Sequence, residues 1–188
     1  MTHKTLLCIR HGESTFNAAW RSTGVDPLHF DAPLSPRGHE QVATARAELT
    51  RRPVELVVIS PLTRALQTAV GLFGEHPSSP AMQIVPLLRE RVENSCDIGR
   101  SPHDLAAAFP SLDFAHLPSV WWHAEGDPDE RGICVEPIAV VQDRVAALRQ
   151  LLLARRERLI AVVGHGTFLF ELTGRVLANC EIAEVELA

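Results

Sequence analysis

Apolar residues along this chain gather into short runs, with longer segments of mixed character between them. Residues 6–9 and 159–163 form uninterrupted runs, 54–59 holds only Glu55, and 82–88 is apolar but for Gln83. Runs this short, bounded by turn residues and rich in branched side chains, read as strands; helices need more length. Their lack of alternation says that the strands are covered on both faces. Between them the apolar spacing becomes helical. Ser35-Pro36 opens a helix to about Leu49, with serine as N-cap and proline at the first helical position. Ser60-Pro61 repeats the device, and Leu62, Ala65, Leu66, Ala69, Val70 and Phe73 then mark one buried face. Glu136-Pro137 starts a long helix with Ile138, Val141, Val145, Leu148, Leu151 and Leu152 as its stripe. A last helix is expected over 167–178, and 182–187 alternates like an edge strand. Residues 18–34 and 74–82 carry turn chemistry and read as loops.

Strands alternating with helices predict an α/β protein, three-layered α/β/α with a mostly parallel central sheet. Over 92–135 strand signals vanish, prolines recur, and only Ser101-Pro102-His103-Asp104 opens a short helix. That stretch reads as a lid-like insertion within a single domain spanning 1–188, a length that buries a substantial core.

Composition narrows the classes. A hydrophobic share of 46% and a charged share of 22% are ordinary for a globular chain. The net charge of -5 argues against a basic surface for nucleic acid. No run approaches the roughly 18 apolar residues of a membrane span. The chain passes straight from Met1 into the first strand, so no signal peptide is expected. Cys8, Cys96, Cys134 and Cys180 show no metal-ligand or disulfide spacing. The expected location is cytoplasmic, with no metal and no cofactor.

The chemistry gathers at strand ends. The first strand runs into Arg10-His11-Gly12, where Gly12 removes a side chain at a point of close substrate approach. The second leads within one helical turn to Arg64, the third ends at Glu90, and the fourth at Gly164-His165-Gly166. In a parallel sheet these ends share one rim, where open α/β folds place ligands. An arginine at a helix N-terminus opposes the helix dipole and wants a reason. Two guanidiniums match a phosphate's oxygens. Two imidazoles supply a nucleophile and a further donor, and a glutamate supplies a proton to a leaving oxygen. Together they describe phosphoryl transfer through a phosphohistidine.

The segment Leu7-Cys8-Ile9-Arg10-His11-Gly12-Glu13-Ser14-Thr15-Phe16-Asn17 resembles the signature of the histidine phosphatase superfamily, the phosphoglycerate mutase-like family. The likeness continues through 31–38, 60–69, Leu88-Arg89-Glu90 and Val163-Gly164-His165-Gly166. The resemblance implies that His11 is phosphorylated and that Arg10, Arg64 and His165 hold the phosphoryl oxygens, with Glu90 as the acid. Asn17, Ser14 and Gly166 are expected among the phosphate- and substrate-binding positions, and Thr23 and Gly24 on a substrate-side loop. It also implies a metal-independent reaction on a small phosphorylated metabolite. No nucleic-acid or membrane partner is expected, and a homodimer is compatible with the sequence.

The same pocket serves hydrolases and mutases, and a catalytically silent phospholigand-binding module is a further alternative. A mutase must hold a second anionic group. Between Val92 and Glu130, Arg100 is the one Lys or Arg against eight carboxylates, namely Glu93, Asp97, Asp104, Asp113, Glu125, Asp127, Asp129 and Glu130. Such a segment repels a bisphosphate, unless the acids simply solvate its outer face. The balance favours a phosphomonoester hydrolase. Trp121-Trp122 is expected to plug the insertion onto the core rather than stack a substrate.

Overall fold

The structure is a computed structural model and describes residues 4–187. Five strands form one sheet in the order β3-β2-β4-β1-β5. Strands β1 (Lys4–Arg10), β2 (Leu56–Ile59), β3 (Ala81–Ile84) and β4 (Leu159–Gly164) run parallel, and β5 (Ile182–Leu187) closes the β1 edge antiparallel. The expected three-layer α/β/α architecture with a mostly parallel sheet is therefore what the chain adopts.

Burial explains the unbroken runs. Leu7, Ile9, Val57, Ile59, Ala161 and Val163 point to one face, where α2 (Pro36–Leu49) and α3 (Thr63–Phe73) cover them. Leu6, Cys8, Leu56, Val58, Ile160 and Val162 point to the other, under α5 (Ile138–Leu153) and α6 (Gly166–Thr173). With period-two side chains and a layer on each face, every position is apolar. The 92–135 stretch holds one α-helix, α4 (Pro102–Ala108), besides a 3₁₀ turn at Ser95–Asp97, and sends Leu105, Phe114, Leu117 and Trp121 into the α2/α3 side of the core. Trp121 is buried over Gly99, stands edge-on to Trp122, and donates its indole N–H to Arg100 O at 2.9 Å. No helix among the described residues is long and apolar enough to cross a membrane.

Four boundaries differ from the sequence reading. Part of the expected 18–34 loop belongs to a helix, α1 (Thr15–Thr23). Ser14 and Asn17 start it by a reciprocal capping box, and Gly24, at φ 65, ends it in the left-handed conformation. Strand β3 stops at Ile84, because Pro86 cannot donate to a ladder and a 3₁₀ turn takes over at Pro86–Leu88. Helix α6 ends at Thr173 rather than near Ala178, at Gly174 with φ 71. Helix α3 is capped by position 62 rather than Ser60. Its Thr63 N–H donates instead to Asp31 Oδ1 at 2.8 Å, so a carboxylate from the loop before α2 serves the N-terminus.

Candidate active site

Strand register brings the polar ends together. Arg10 pairs with Gly164, and Ile9 and Ile59 both pair with Val163, so β1, β2 and β4 finish on one rim. Arg10, His11, Asn17, Arg64 and Glu90 line a single cavity of about 110 Å³, together with Phe16, Arg91, Glu93, Asn94, Cys96, Asp97 and Thr167.

His11 is buried, and its Nδ1–H donates to Gly12 O at 2.7 Å. That bond fixes the tautomer, leaving Nε2 as the lone-pair nitrogen. Arg64 Nε–H points at this lone pair from 3.3 Å. Thr68 locks the two elements together, accepting from Gly12 N at 3.1 Å and donating to Arg64 O at 2.7 Å. Gly12 has a different reason than substrate clearance. A Cβ there would stand 2.8 Å from Gly38 O, so the glycine lets α2 pack against the strand end.

His165 lies beside His11, with ring centroids 5.1 Å apart. Ser60 Oγ accepts from Leu62 N at 3.3 Å and is hydrogen-bonded to His165 Nε2 at 2.7 Å. Its other ring nitrogen, Nδ1, is a buried atom with no partner among the described residues. Arg10 donates Nη1 to Leu177 O at 2.7 Å, while its buried Nε also lacks a partner among the described residues. A Cβ added at Gly166 would stand 3.6 Å from this guanidinium. Buried polar atoms left unpaired are costly, and these two belong to His11's chain neighbour and to the imidazole beside it.

Glu90 accepts three backbone N–H groups, from Arg91 at 2.9 Å, Thr167 at 3.0 Å and Phe168 at 3.1 Å. The last two belong to the first turn of α6, which positions the carboxyl. Burial pushes the Glu90 carboxyl above its usual range, and the Asp97 charge pushes it further. Burial, Arg64 and Arg10 hold the His11 imidazole well below its ordinary value of 6.5. The same causes, with His11 added, depress His165.

His11 should therefore remain neutral as pH falls through the range where an exposed histidine charges. Its depressed value lends stability above the unfolded chain's value, lost as pH falls through the lower folded one. The expected result is that the His11 Cε1–H resonance does not titrate through 6.5. A midpoint at that value would show the imidazole ordinarily solvated.

Five expected site residues do not line the cavity: His165 and Gly166, placed above, and Ser14, Thr23 and Gly24. Ser14 is the α1 cap, its Oγ accepting from Asn17 N at 3.1 Å. Thr23 is exposed at the end of α1, hydrogen-bonded to Ala19 O at 3.1 Å, and Gly24 is that helix's cap. Trp121 and Trp122 do not line the cavity. In the other direction, the sequence reading missed Asn179, whose Nδ2 donates to His11 O at 3.0 Å, and a site role for Asp97. Asp97 was visible only as one acid among many, though Asn94-Ser95-Cys96-Asp97 does have capping-box spacing.

Comparison with known proteins adds to this geometry. The model of the histidine phosphatase superfamily (branch 1) matches residues 6–186. A phosphoglycerate mutase-like protein of Arabidopsis thaliana is 30% identical over 215 residues, covering 94% of this chain and 76% of that protein. A glucosyl-3-phosphoglycerate phosphatase of Mycolicibacterium vanbaalenii is 29% identical over 177 residues, with the same two coverages of 94% and 76%. Among solved structures, the alpha-ribazole phosphatase of Shigella flexneri superposes with a TM-score of 0.65 at 21% identity, over 96% of this chain and 89% of that one.

Proposed function

The chain belongs to the histidine phosphatase superfamily, and on that premise we propose that it hydrolyses small phosphomonoesters, metal-independently, through a phosphohistidine at His11. One observation carries the reading. The lone pair of His11 Nε2 meets Arg64 Nε–H at 3.3 Å in a cavity lined also by Arg10, Asn17 and Glu90, and the buried Arg10 Nε lacks a partner among the described residues. Donors placed this way suit the oxygens of a phosphoryl group.

In the first step His11 Nε2 forms a bond to phosphorus as the bond to the leaving oxygen breaks. Glu90 gives its proton to that oxygen. Arg10, Arg64 and His165 carry the charge on the phosphoryl oxygens. In the second step water attacks phosphorus, its proton returns to Glu90, and the P–N bond breaks to release phosphate. Asn17 lines the same cavity and completes the anion's surroundings.

Water is favoured as acceptor by the charges at the cavity. Arg91, the cation beyond the Arg10–Arg64 pair that lines it, donates to Glu136 O at 2.8 Å and pairs with Glu93 at 3.3 Å. Of the acids in the insertion, Asp104, Asp113, Glu125, Asp127 and Glu130 face solvent. Release of phosphate from p-nitrophenyl phosphate and a panel of metabolite phosphates, in the presence of a chelator, tests the reading. No turnover on any of them would refute it, and exchange of 2- and 3-phosphoglycerate without phosphate release would make the protein a mutase.

A further inference from the structure

Arg64 has a partner that the chemistry above does not use. Its Nη2 donates to Asp97 Oδ1 at 2.9 Å and its Nη1 to Cys96 O at 2.5 Å. The ion pair is buried on both sides, with side-chain exposures of 3% for Arg64 and 5% for Asp97. Asp97 is held from behind. Its Oδ2 accepts from Asn94 N at 3.0 Å and Glu93 N at 3.3 Å. The second carboxyl lining the same cavity of about 110 Å³ is Glu90, with Glu93 at its edge.

We propose that Asp97 is a positioning residue of this site, whose carboxylate keeps the transferable proton on Glu90 and holds Arg64 turned towards His11. The proposal rests on the phosphohydrolase reading above and deepens it.

Two carboxyls in one buried cavity do not ionise independently, and the one with the better cationic partner gives up its proton first. Asp97 touches a guanidinium directly, and Glu90 is bonded to backbone N–H groups alone. The groups facing Glu90 are the cations Arg64 on α3 and Arg10 at the end of β1, the first turn of α6, and the imidazole of His11. Arg91 and Glu93 pair with each other. Asp97 therefore carries the anion and Glu90 the proton. That proton passes to the leaving oxygen as the P–O bond breaks and returns from the attacking water. The ion pair also fixes the Nη edge of Arg64, so that its Nε–H is aimed at His11 Nε2.

Asp97→Asn removes the charge and keeps an acceptor for Arg64. The Glu90 carboxyl is followed by ¹³C NMR, its signal identified by its loss in Glu90→Gln. Its titration midpoint is expected to fall by about one pH unit or more in Asp97→Asn. The basic limb of kcat should move with it for an alkyl phosphate, with a loss of roughly 10-fold or more at neutral pH. An aryl phosphate, whose phenolate leaves without a proton, should lose several-fold less kcat than the alkyl phosphate. An unchanged Glu90 midpoint, or equal losses on both substrates, would overturn the proposal. Should Asp97→Asn not fold, the wild-type signal decides. Glu90 must titrate in two coupled steps, and a single independent step would refute the pairing. The spectroscopic test needs no turnover, so an inactive wild-type protein would refute the hydrolase reading alone.

Discussion

Replacing His11 by alanine is expected to reduce kcat on p-nitrophenyl phosphate by at least about 10⁴-fold, because no other group can form the covalent intermediate. The geometry gives the reason. Nδ1 is committed to Gly12 O, and Nε2 carries the lone pair at which Arg64 Nε–H points. The Gly12 bond to Thr68 and the Asn179 bond to His11 O involve backbone, so the strand end survives the substitution. Circular dichroism and an unchanged denaturation midpoint would confirm a folded variant. Residual activity near the wild-type level would move the nucleophile elsewhere. A phospholigand-binding module predicts a different pair of results, an inactive wild-type protein and a variant altered only in phosphate affinity.

Glu136→Gln is expected to cost about 3–5 kcal/mol of stability, the scale for breaking a buried ion pair from one side. Glu136 is fully buried and accepts from Arg89 Nη2 at 2.8 Å, Arg144 Nε at 3.1 Å and Arg144 Nη2 at 2.8 Å. Removing its charge leaves two guanidiniums without their counter-ion. Arg144 also stacks over Phe168, 5.2 Å from the ring centroid, and donates to Leu87 O and Arg89 O at 2.6 and 2.8 Å. The cluster thus anchors the chain immediately before Glu90, so a loss of kcat should accompany the loss of stability. Urea denaturation reads the stability term as a lower midpoint at constant slope. An unchanged midpoint would mean that the cluster contributes nothing net.

What could be read from the sequence followed the range of the interactions. The strands at 6–9 and 159–163 were legible because both faces of each are covered, which makes every residue apolar. Arg10, His11, Arg64, Glu90 and His165 were legible as a set because parallel register puts strand ends on one rim. Helix α1 was hidden by its composition. Its residues beyond Phe16 are largely exposed, and its start depends on a side-chain exchange between Ser14 and Asn17. Strand β3 was overextended because its apolar residues continue into the 3₁₀ turn that carries the chain to Glu90. Glu136, read as part of a helix start, turns inward to two arginines distant in sequence. Asp97 was counted with the solvated acids of the insertion, and only the tertiary fold shows that it alone among them is buried against Arg64.

The central claim, a phosphoryl group carried on His11, is tested most directly by trapping it. The protein is mixed with a fast aryl phosphate, quenched in alkali within one turnover and digested for mass spectrometry, since phosphohistidine survives base and is lost in acid. The expected result is phosphate on the peptide containing His11, present in the wild-type protein and in Glu90→Gln, where slowed hydrolysis should increase it, and absent in His11→Ala. Turnover with no phosphorylated peptide, or with the phosphate on another residue, would contradict the account.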